Sequence, residues 1–246
     1  MRKSLVVAVA QPLLKAHAVE ANVAVHAETV RAAGARVVVF PELSLTGYEL
    51  DAVPMSETDP RLTPLVEACA ETGTIALVGA PLQGGPYIAM LAVDGSGVSV
   101  AYRKVWIDPS EAHVYVSGGK PEVLDVDGWR LGLGICRDTG IVQHAEDTAA
   151  LGIDAYVAGT LMHAHETSVQ DDRAVRISTT HGVWVLFACY AGSTGGGYTD
   201  ASGRSGIWTP DGAVAAQAGS DTGEIVRMTL PGNTSGVRPA ASAPRS

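Results

Sequence analysis

The stretch Leu131-Gly132-Leu133-Gly134-Ile135-Cys136-Arg137-Asp138 reads as an apolar strand that ends on a thiol and turns, through Thr139-Gly140, into a helix over Ile141 to Leu151. A short apolar run bounded by turn residues fits a strand covered on both faces. Upstream, Val123 to Val126 and Trp129 to Ile135 predict a hairpin with Asp127-Gly128 as its turn. Downstream, Asp154 to Ala158 predicts the next strand, Val169 to His181 a helix, and Val183 to Ala188 another strand.

The N-terminal half carries the same signals. Leu5 to Ala10 and Val37 to Phe40 read as buried strands, with an Ala-rich helix over Lys15 to Ala33 between them that stops at Gly34. Pro60 to Thr72 predicts a helix and Ile75 to Val78 a strand. Tyr87 to Val93 and Val98 to Tyr102 predict a hairpin through Asp94-Gly95-Ser96-Gly97. Ile207 to Thr209, Val214 to Ala216 and Glu224 to Leu230 complete the pattern. Buried strands that alternate with helices, with hairpins between, give an α/β chain: a mixed sheet with helices on its faces. One domain is expected over residues 1–230; the Pro-, Gly-, Ser- and Ala-rich residues 231–246 read as a loosely attached tail.

The 246 residues are 46% hydrophobic and 17% charged, enough apolar material for a single large core. With aromatics at only 5%, that core must be built from small side chains. The net charge of −9 and the absence of a Lys/Arg cluster argue against a nucleic-acid partner. Cys69, Cys136 and Cys189 are odd in number and widely spaced, which points to a reducing compartment. The apolar start ends at Gln11-Pro12, too early for a signal peptide, and no stretch is long and apolar enough to span a membrane. The expectation is a cytoplasmic protein.

Three strand ends carry candidate chemistry. In Val37-Val38-Val39-Phe40-Pro41-Glu42 a carboxylate stands where a buried strand exits, and partial burial would raise its pKa toward that of a general acid or base. In Tyr102-Arg103-Lys104-Val105-Trp106 a lysine could stabilise a developing oxyanion. At Cys136 the strand-to-helix turn exposes the thiol, where helix N–H groups favour the thiolate and the Arg137 N–H can face a reacting carbonyl. Each also has a bland reading: a solvated loop glutamate, a strand-guarding edge lysine, and a small buried hydrophobe. That last reading is accepted for Cys69, which lies inside a helix.

Together, in this order, the three sites resemble the nitrilase superfamily of carbon–nitrogen hydrolases, over about Leu5 to Leu230. Glu42 matches the family's Phe-Pro-Glu, Lys104 its Tyr-Arg-Lys and Cys136, in Gly132-Leu133-Gly134-Ile135-Cys136, its glycine-preceded cysteine; Glu111, ahead of Ser117-Gly118, matches a second family glutamate. Gly203-x-Ser205-x-Ile207-x-x-Pro210-x-Gly212 resembles the closing strand motif. The resemblance implies a four-layer α-β-β-α sandwich and a homodimer. It also implies a Glu-Lys-Cys triad that cleaves a small amide through a cysteine thioester, without metal or organic cofactor. Nitrile hydrolysis, acyl transfer, and a non-catalytic binding protein on this fold stay open. A thioesterase of the α/β-hydrolase type does not fit, because Gly134-Ile135-Cys136-Arg137-Asp138 lacks the final glycine of that elbow.

The departures from the family pattern surround the expected pocket. Arg137 replaces the usual aromatic after the nucleophile, Gly159-Thr160-Leu161-Met162-His163 replaces a Pro-Asn-aromatic run, the next helix ends Thr180-His181-Gly182, and Cys189 replaces a common Asn. Arg137, Thr160 and His163 are therefore the candidate substrate-binding residues. His163, His165 and Glu166 offer too few ligands for a metal site and read better as pocket wall. Arg173 and Arg176 share a helix face, where they would pair with Asp171 or Asp172, bind a substrate carboxylate, or simply be solvated.

Overall fold

The computed structural model describes residues 2–232. In chain order its main elements are β1 (Leu5–Gln11), α1 (Val19–Ala33), β2 (Val37–Val39), α2 (Thr63–Thr72), β3 (Ile75–Leu82), β4 (Tyr87–Asp94) and β5 (Gly97–Arg103), then β6 (Val123–Val126), β7 (Trp129–Ile135), α3 (Val142–Ala150), β8 (Ala155–Thr160), α4 (Thr167–His181) and β9 (Trp184–Cys189). The chain closes with β10 (Ala191–Gly192), β11 (Ala201–Ser202), β12 (Gly206–Trp208), β13 (Val214–Gln217) and β14 (Glu224–Leu230).

The strands form two six-stranded sheets, ordered β14-β1-β2-β3-β4-β5 and β13-β12-β9-β8-β7-β6. Each has three parallel strands at its heart, β1-β2-β3 and β7-β8-β9, flanked by antiparallel neighbours. β10 and β11 pair separately.

Side-chain parity creates the layers, because successive residues of a strand face opposite ways. Leu5, Val7 and Val9 of β1 join Leu131, Leu133, Ile135, Val157 and Leu186 in a core between the two sheets. Ala8 and Ala10 face the other way, onto Val23, Ala27 and Val30 of α1 and Leu65 and Ala68 of α2. On the far side Tyr156, Ala158, Val185 and Phe187 pack against Ala174 and Ile177 of α4 and Ala145 of α3. The result is helix, sheet, sheet, helix: the expected four layers.

The Asp127-Gly128 turn joins β6 to β7 as expected, both residues having positive φ (50° and 83°), as a two-residue hairpin of this kind requires. Helix α1 begins four residues later than expected. Asn22 takes the Lys15 N–H on its Oδ1 and donates to the Lys15 carbonyl, and His17 has a left-handed φ of 56°, so the preceding segment is a tight loop. The expected tail starts on ordered chain, since Gly232 lies against the backbone of Arg2 to Ser4; residues 233–246 lie outside the described residues. Among the described residues no helix is long and apolar enough to cross a membrane.

Candidate active site

The topology brings the three strand ends to one place. β2 and β3 run parallel, and two antiparallel steps, β3 to β4 to β5, return β5 to the same direction. Glu42, just past β2, and Lys104, just past β5, therefore leave the first sheet at the same edge. In the facing sheet Cys136 follows β7, and Leu161 follows the parallel neighbour β8. Ligand sites in parallel sheets gather at such carboxyl ends.

Two glycines let the sheets close on Glu42. A Cβ on Gly79 of β3 would stand 2.2 Å from the Leu43 nitrogen, and one on Gly159 of β8 would stand 2.6 Å from the Phe40 carbonyl oxygen. The Pro41-Glu42-Leu43 backbone is thus held between the sheets with no room for a methyl group on either side. Ser44 secures the same turn from the helix layer: its Oγ accepts from the Gly79 N–H at 3.2 Å and lies 2.9 Å from His26 Nε2 of α1.

Lys104, Glu42 and Glu111 are fully buried. The Lys104 ammonium donates to Glu42 Oε1 at 2.6 Å and to Glu111 Oε1 and Oε2 at 2.9 and 2.7 Å. Glu111 also accepts from the Tyr48 hydroxyl at 2.9 Å and from the Asp108 N–H at 2.9 Å, so its oxygens are fully engaged. Glu42 Oε2 is buried without a hydrogen-bond partner. Burial pushes the Glu42 carboxyl up to about 8; Lys104 opposes the rise and Glu111 reinforces it. Burial acts to deprotonate Lys104, but Glu42 and its other anionic neighbours outweigh it and hold the ammonium charged.

Cys136 opens a short turn, Cys136–Gly140, with φ of 39°, a left-handed conformation unusual for a residue with a side chain. Such strain persists only where the surroundings enforce it. The clasp comes from α4: Arg176 donates to the Thr139 carbonyl at 2.7 Å and Arg173 to the Thr139 hydroxyl at 3.3 Å. Neither of those arginines pairs with Asp171, which holds Arg204 instead, and both support the Cys136 turn. The Cys136 thiol donates to the Leu161 carbonyl at 3.4 Å and contacts the Glu42 carboxyl, whose pKa that contact lowers. The surroundings of Cys136 do not favour the thiolate. Burial first, then the Glu42 charge, push the thiol well up, with Lys104 opposing, and the turn is too short for a helix dipole to reverse this.

The remaining candidates divide. His163 stacks on Tyr198 (ring centroids 4.1 Å apart) and on His165 (5.2 Å), while Tyr48 meets Tyr198 edge-on at 5.5 Å. His163 lies two residues past Leu161, whose carbonyl accepts from the Cys136 thiol, so this aromatic wall follows directly on the strand end that faces Cys136. Arg137 donates to Asp108 at 3.1 Å in a half-exposed pair, 38% and 39% accessible, immediately outside Glu111.

Thr160 is turned away from the site: its buried hydroxyl lies 3.3 Å from both Gln170 Oε1 on α4 and the Ala188 carbonyl. Strand parity explains this, since Thr160 follows Tyr156 and Ala158 onto the helix side of β8, whereas Gly159 faces Glu42. Cys189 is likewise buried, 3.4 Å from Ser202 Oγ. Tyr48, Tyr198, Asp108 and the Leu161 carbonyl were not anticipated. The turn residues Thr46-Gly47-Tyr48 signal a fixed aromatic after the Glu42 strand, but nothing local to Tyr198 marks it. Among the described residues, the side chains that gather at metal-ligand spacing are His17, Glu49 and Asp51, a group that does not include His163 or His165.

The family profile described as carbon-nitrogen hydrolase matches residues 6–238. A formamidase of Pseudomonas syringae pv. tomato is 30% identical over 211 residues, which are 80% of this chain and 60% of that protein, so the chain spans about three fifths of its relative's length. Among solved structures, Nit3 of Saccharomyces cerevisiae, a member of branch 10 of the nitrilase superfamily, superposes with a TM-score of 0.83 at 20% identity, covering 93% of this chain and 90% of that one. A mutant of the amidase from Nesterenkonia sp. AN1 in complex with butyramide superposes with a TM-score of 0.84 at 23% identity, covering 92% and 91%. These likenesses establish the nitrilase-type fold.

Proposed function

The chain belongs to the carbon–nitrogen hydrolase family, whose members act on carbon–nitrogen bonds other than peptide bonds, and from that premise we propose that it hydrolyses a small aliphatic amide through a Cys136 thioester. The observation that carries this reading is Glu42. It is a buried carboxyl with one oxygen on Lys104, the other unpartnered, and a thiol against it.

In this mechanism Glu42 takes the thiol proton as Cys136 sulfur attacks the amide carbon. The negative charge moves to the carbonyl oxygen, which Lys104 and the Arg137 N–H stabilise. The intermediate collapses, the carbon–nitrogen bond breaks, and the leaving nitrogen takes the proton from Glu42 to depart as ammonia or amine. Water then attacks the thioester, giving its proton to Glu42; the sulfur leaves and is reprotonated. One water is consumed, and the products are a carboxylic acid and the amine. Glu111 holds Lys104 in place, since it accepts two of the ammonium's three hydrogen-bond contacts.

Three features favour a small acyl group: the half-buried thiol, the wall of Tyr48, Tyr198 and His163, and the formamidase relative. Ammonia release from formamide, acetamide, propionamide and butyramide, with the corresponding nitriles alongside, tests the reading. Amide turnover that vanishes in Cys136→Ala is expected; wild-type turnover by that variant, or nitrile turnover exceeding that of every amide, would overturn it.

A further inference from the structure

Behind the nucleophile lies a buried polar network that the mechanism above does not use. Asp138, two residues past Cys136, is fully buried and takes three hydrogen bonds. Its Oδ1 accepts from the Trp106 N–H at 2.8 Å; its Oδ2 accepts from the Ile135 N–H at 2.9 Å and the Tyr102 hydroxyl at 2.7 Å. One carboxylate therefore bridges the residue just before Cys136 and the chain just after Lys104. Tyr102 strengthens the same bridge, because its oxygen also accepts from the Val105 N–H at 3.2 Å.

The proton count then fixes His144 of α3. Tyr102 has one hydroxyl hydrogen, and Asp138 takes it. His144 Nε2, 2.8 Å from the Tyr102 oxygen, must therefore be the donor of that contact. The ring is neutral, since burial disfavours the imidazolium, so Nδ1 carries no hydrogen and accepts from the Tyr156 hydroxyl at 2.8 Å. Thr148 does not compete, because its hydroxyl donates to the His144 carbonyl at 2.6 Å. Every proton in the chain Tyr156, His144, Tyr102, Asp138 has one direction.

We propose that His144 is a positioning residue: held as its Nε2–H tautomer, it directs the Tyr102 hydroxyl onto Asp138 and so sets the distance between Lys104 and Cys136. Without that donor the Tyr102 hydroxyl is free to rotate away from Asp138, and the clamp on Trp106 and Ile135 loosens while the residues that touch substrate stay in place. A loosened clamp lowers the rate of attack more than it weakens substrate binding.

The proposal rests on Cys136 as nucleophile, and its test reads that thiol with and without turnover. The variants His144→Leu, His144→Gln and Tyr102→Phe are compared by ammonia release from propionamide, by the rate of Cys136 alkylation with iodoacetamide followed by peptide mass, and by thermal melting. His144→Leu is expected to lower kcat ~10-fold or more with KM within ~2-fold, and to slow alkylation at Cys136. His144→Gln, whose amide nitrogen can supply the donor, should recover kcat to within about 3-fold of the parent. Tyr102→Phe keeps the ring, loses the hydroxyl and should match His144→Leu, which covers the case in which His144→Leu does not fold. A folded His144→Leu or Tyr102→Phe with kcat within ~2-fold of the parent overturns the proposal, as does a His144→Gln no better than His144→Leu at equal melting temperature. Failure of the amidase reading itself would show differently, as turnover surviving Cys136→Ala.

Discussion

Gly159 passes so close to Glu42 that a Cβ on the glycine would stand 2.9 Å from the Glu42 amide nitrogen. The two residues belong to opposite sheets, so the approach fixes the candidate base relative to the strand beside Cys136. Gly159→Ala must push one sheet from the other. It is expected to lower stability by about 1–3 kcal/mol, the usual cost of overpacking, and to lower kcat on amides at least ~10-fold. Urea denaturation and ammonia release measure the two effects; parent-like values in both would show that the sheets part freely here.

The rate should rise with pH through a value far above an ordinary carboxylate. Glu42 must be ionised to take the thiol proton, and its carboxyl is raised from 4.5 to about 8, so the acid limb of kcat/KM is expected near pH 8 and not near pH 4.5. Because Glu42 and Cys136 are in contact, the limb reports the pair. A profile flat from pH 5 to pH 9 would count against Glu42 as base.

Glu111→Gln is expected to shift that limb downward. The Glu111 charge helps to raise the Glu42 pKa, and the amide removes the charge while nearly preserving shape. The variant should also lose turnover, about 10²-fold, because Lys104 loses a charged partner that holds it in place. An acid limb that stays put would mean that the Glu111 charge does not reach Glu42.

His26 should make the fold acid-sensitive. It is fully buried, and burial lowers its pKa from 6.5 to about 4, against the opposing pull of the Asn22 carbonyl 2.6 Å from Nδ1. Between those pH values the unfolded chain binds the proton and the folded chain does not, so stability falls as pH drops, by about 3 kcal/mol in all. Glu42 works in the opposite sense, since a raised carboxyl favours the folded state as pH falls. The decisive comparison is therefore parent against His26→Gln, by urea denaturation at pH 7 and pH 4.5. The variant should show the smaller loss on acidification, and parallel profiles would clear His26.

Releasing the clasp on the Cys136 turn should cost rate. Arg176→Met retains the aliphatic stem but removes the donor to the Thr139 carbonyl. A fall of several-fold in kcat is expected, with a melting temperature lowered by no more than a few degrees. Unchanged kcat would leave Arg176 a surface residue, one of the roles its spacing on the helix allowed.

The strand ends were legible because each is an apolar run stopped by a polar residue, and that pattern is local. Glu42, Lys104 and Cys136 could be singled out this way, and their order supplied the family. Convergence was not local: Tyr48, Asp108 and Tyr198 reach the site on loops separated by up to 150 residues of chain. Thr160 was misjudged for a different reason. Proximity along the chain to the strand's end suggested the pocket, whereas the two-residue period of β8 points its side chain into α4. Arg173 and Arg176 carried a genuine ambiguity, since charge and spacing are the same whether an arginine faces water, a substrate or a neighbouring turn.

The pairing of β1 with β14, Leu5 opposite Leu230 and Gln11 opposite Glu224, has a consequence in time. β1 leaves the ribosome long before the strand that pairs with it. Until residue 230 has been made, one edge of β1 has no partner, and Gln11 lacks the Gly219 and Asp221 carbonyls to which its amide donates. An unpaired apolar strand is an invitation to self-association. A chain halted before β14 leaves that edge uncovered and should self-associate more readily than the chain that includes it.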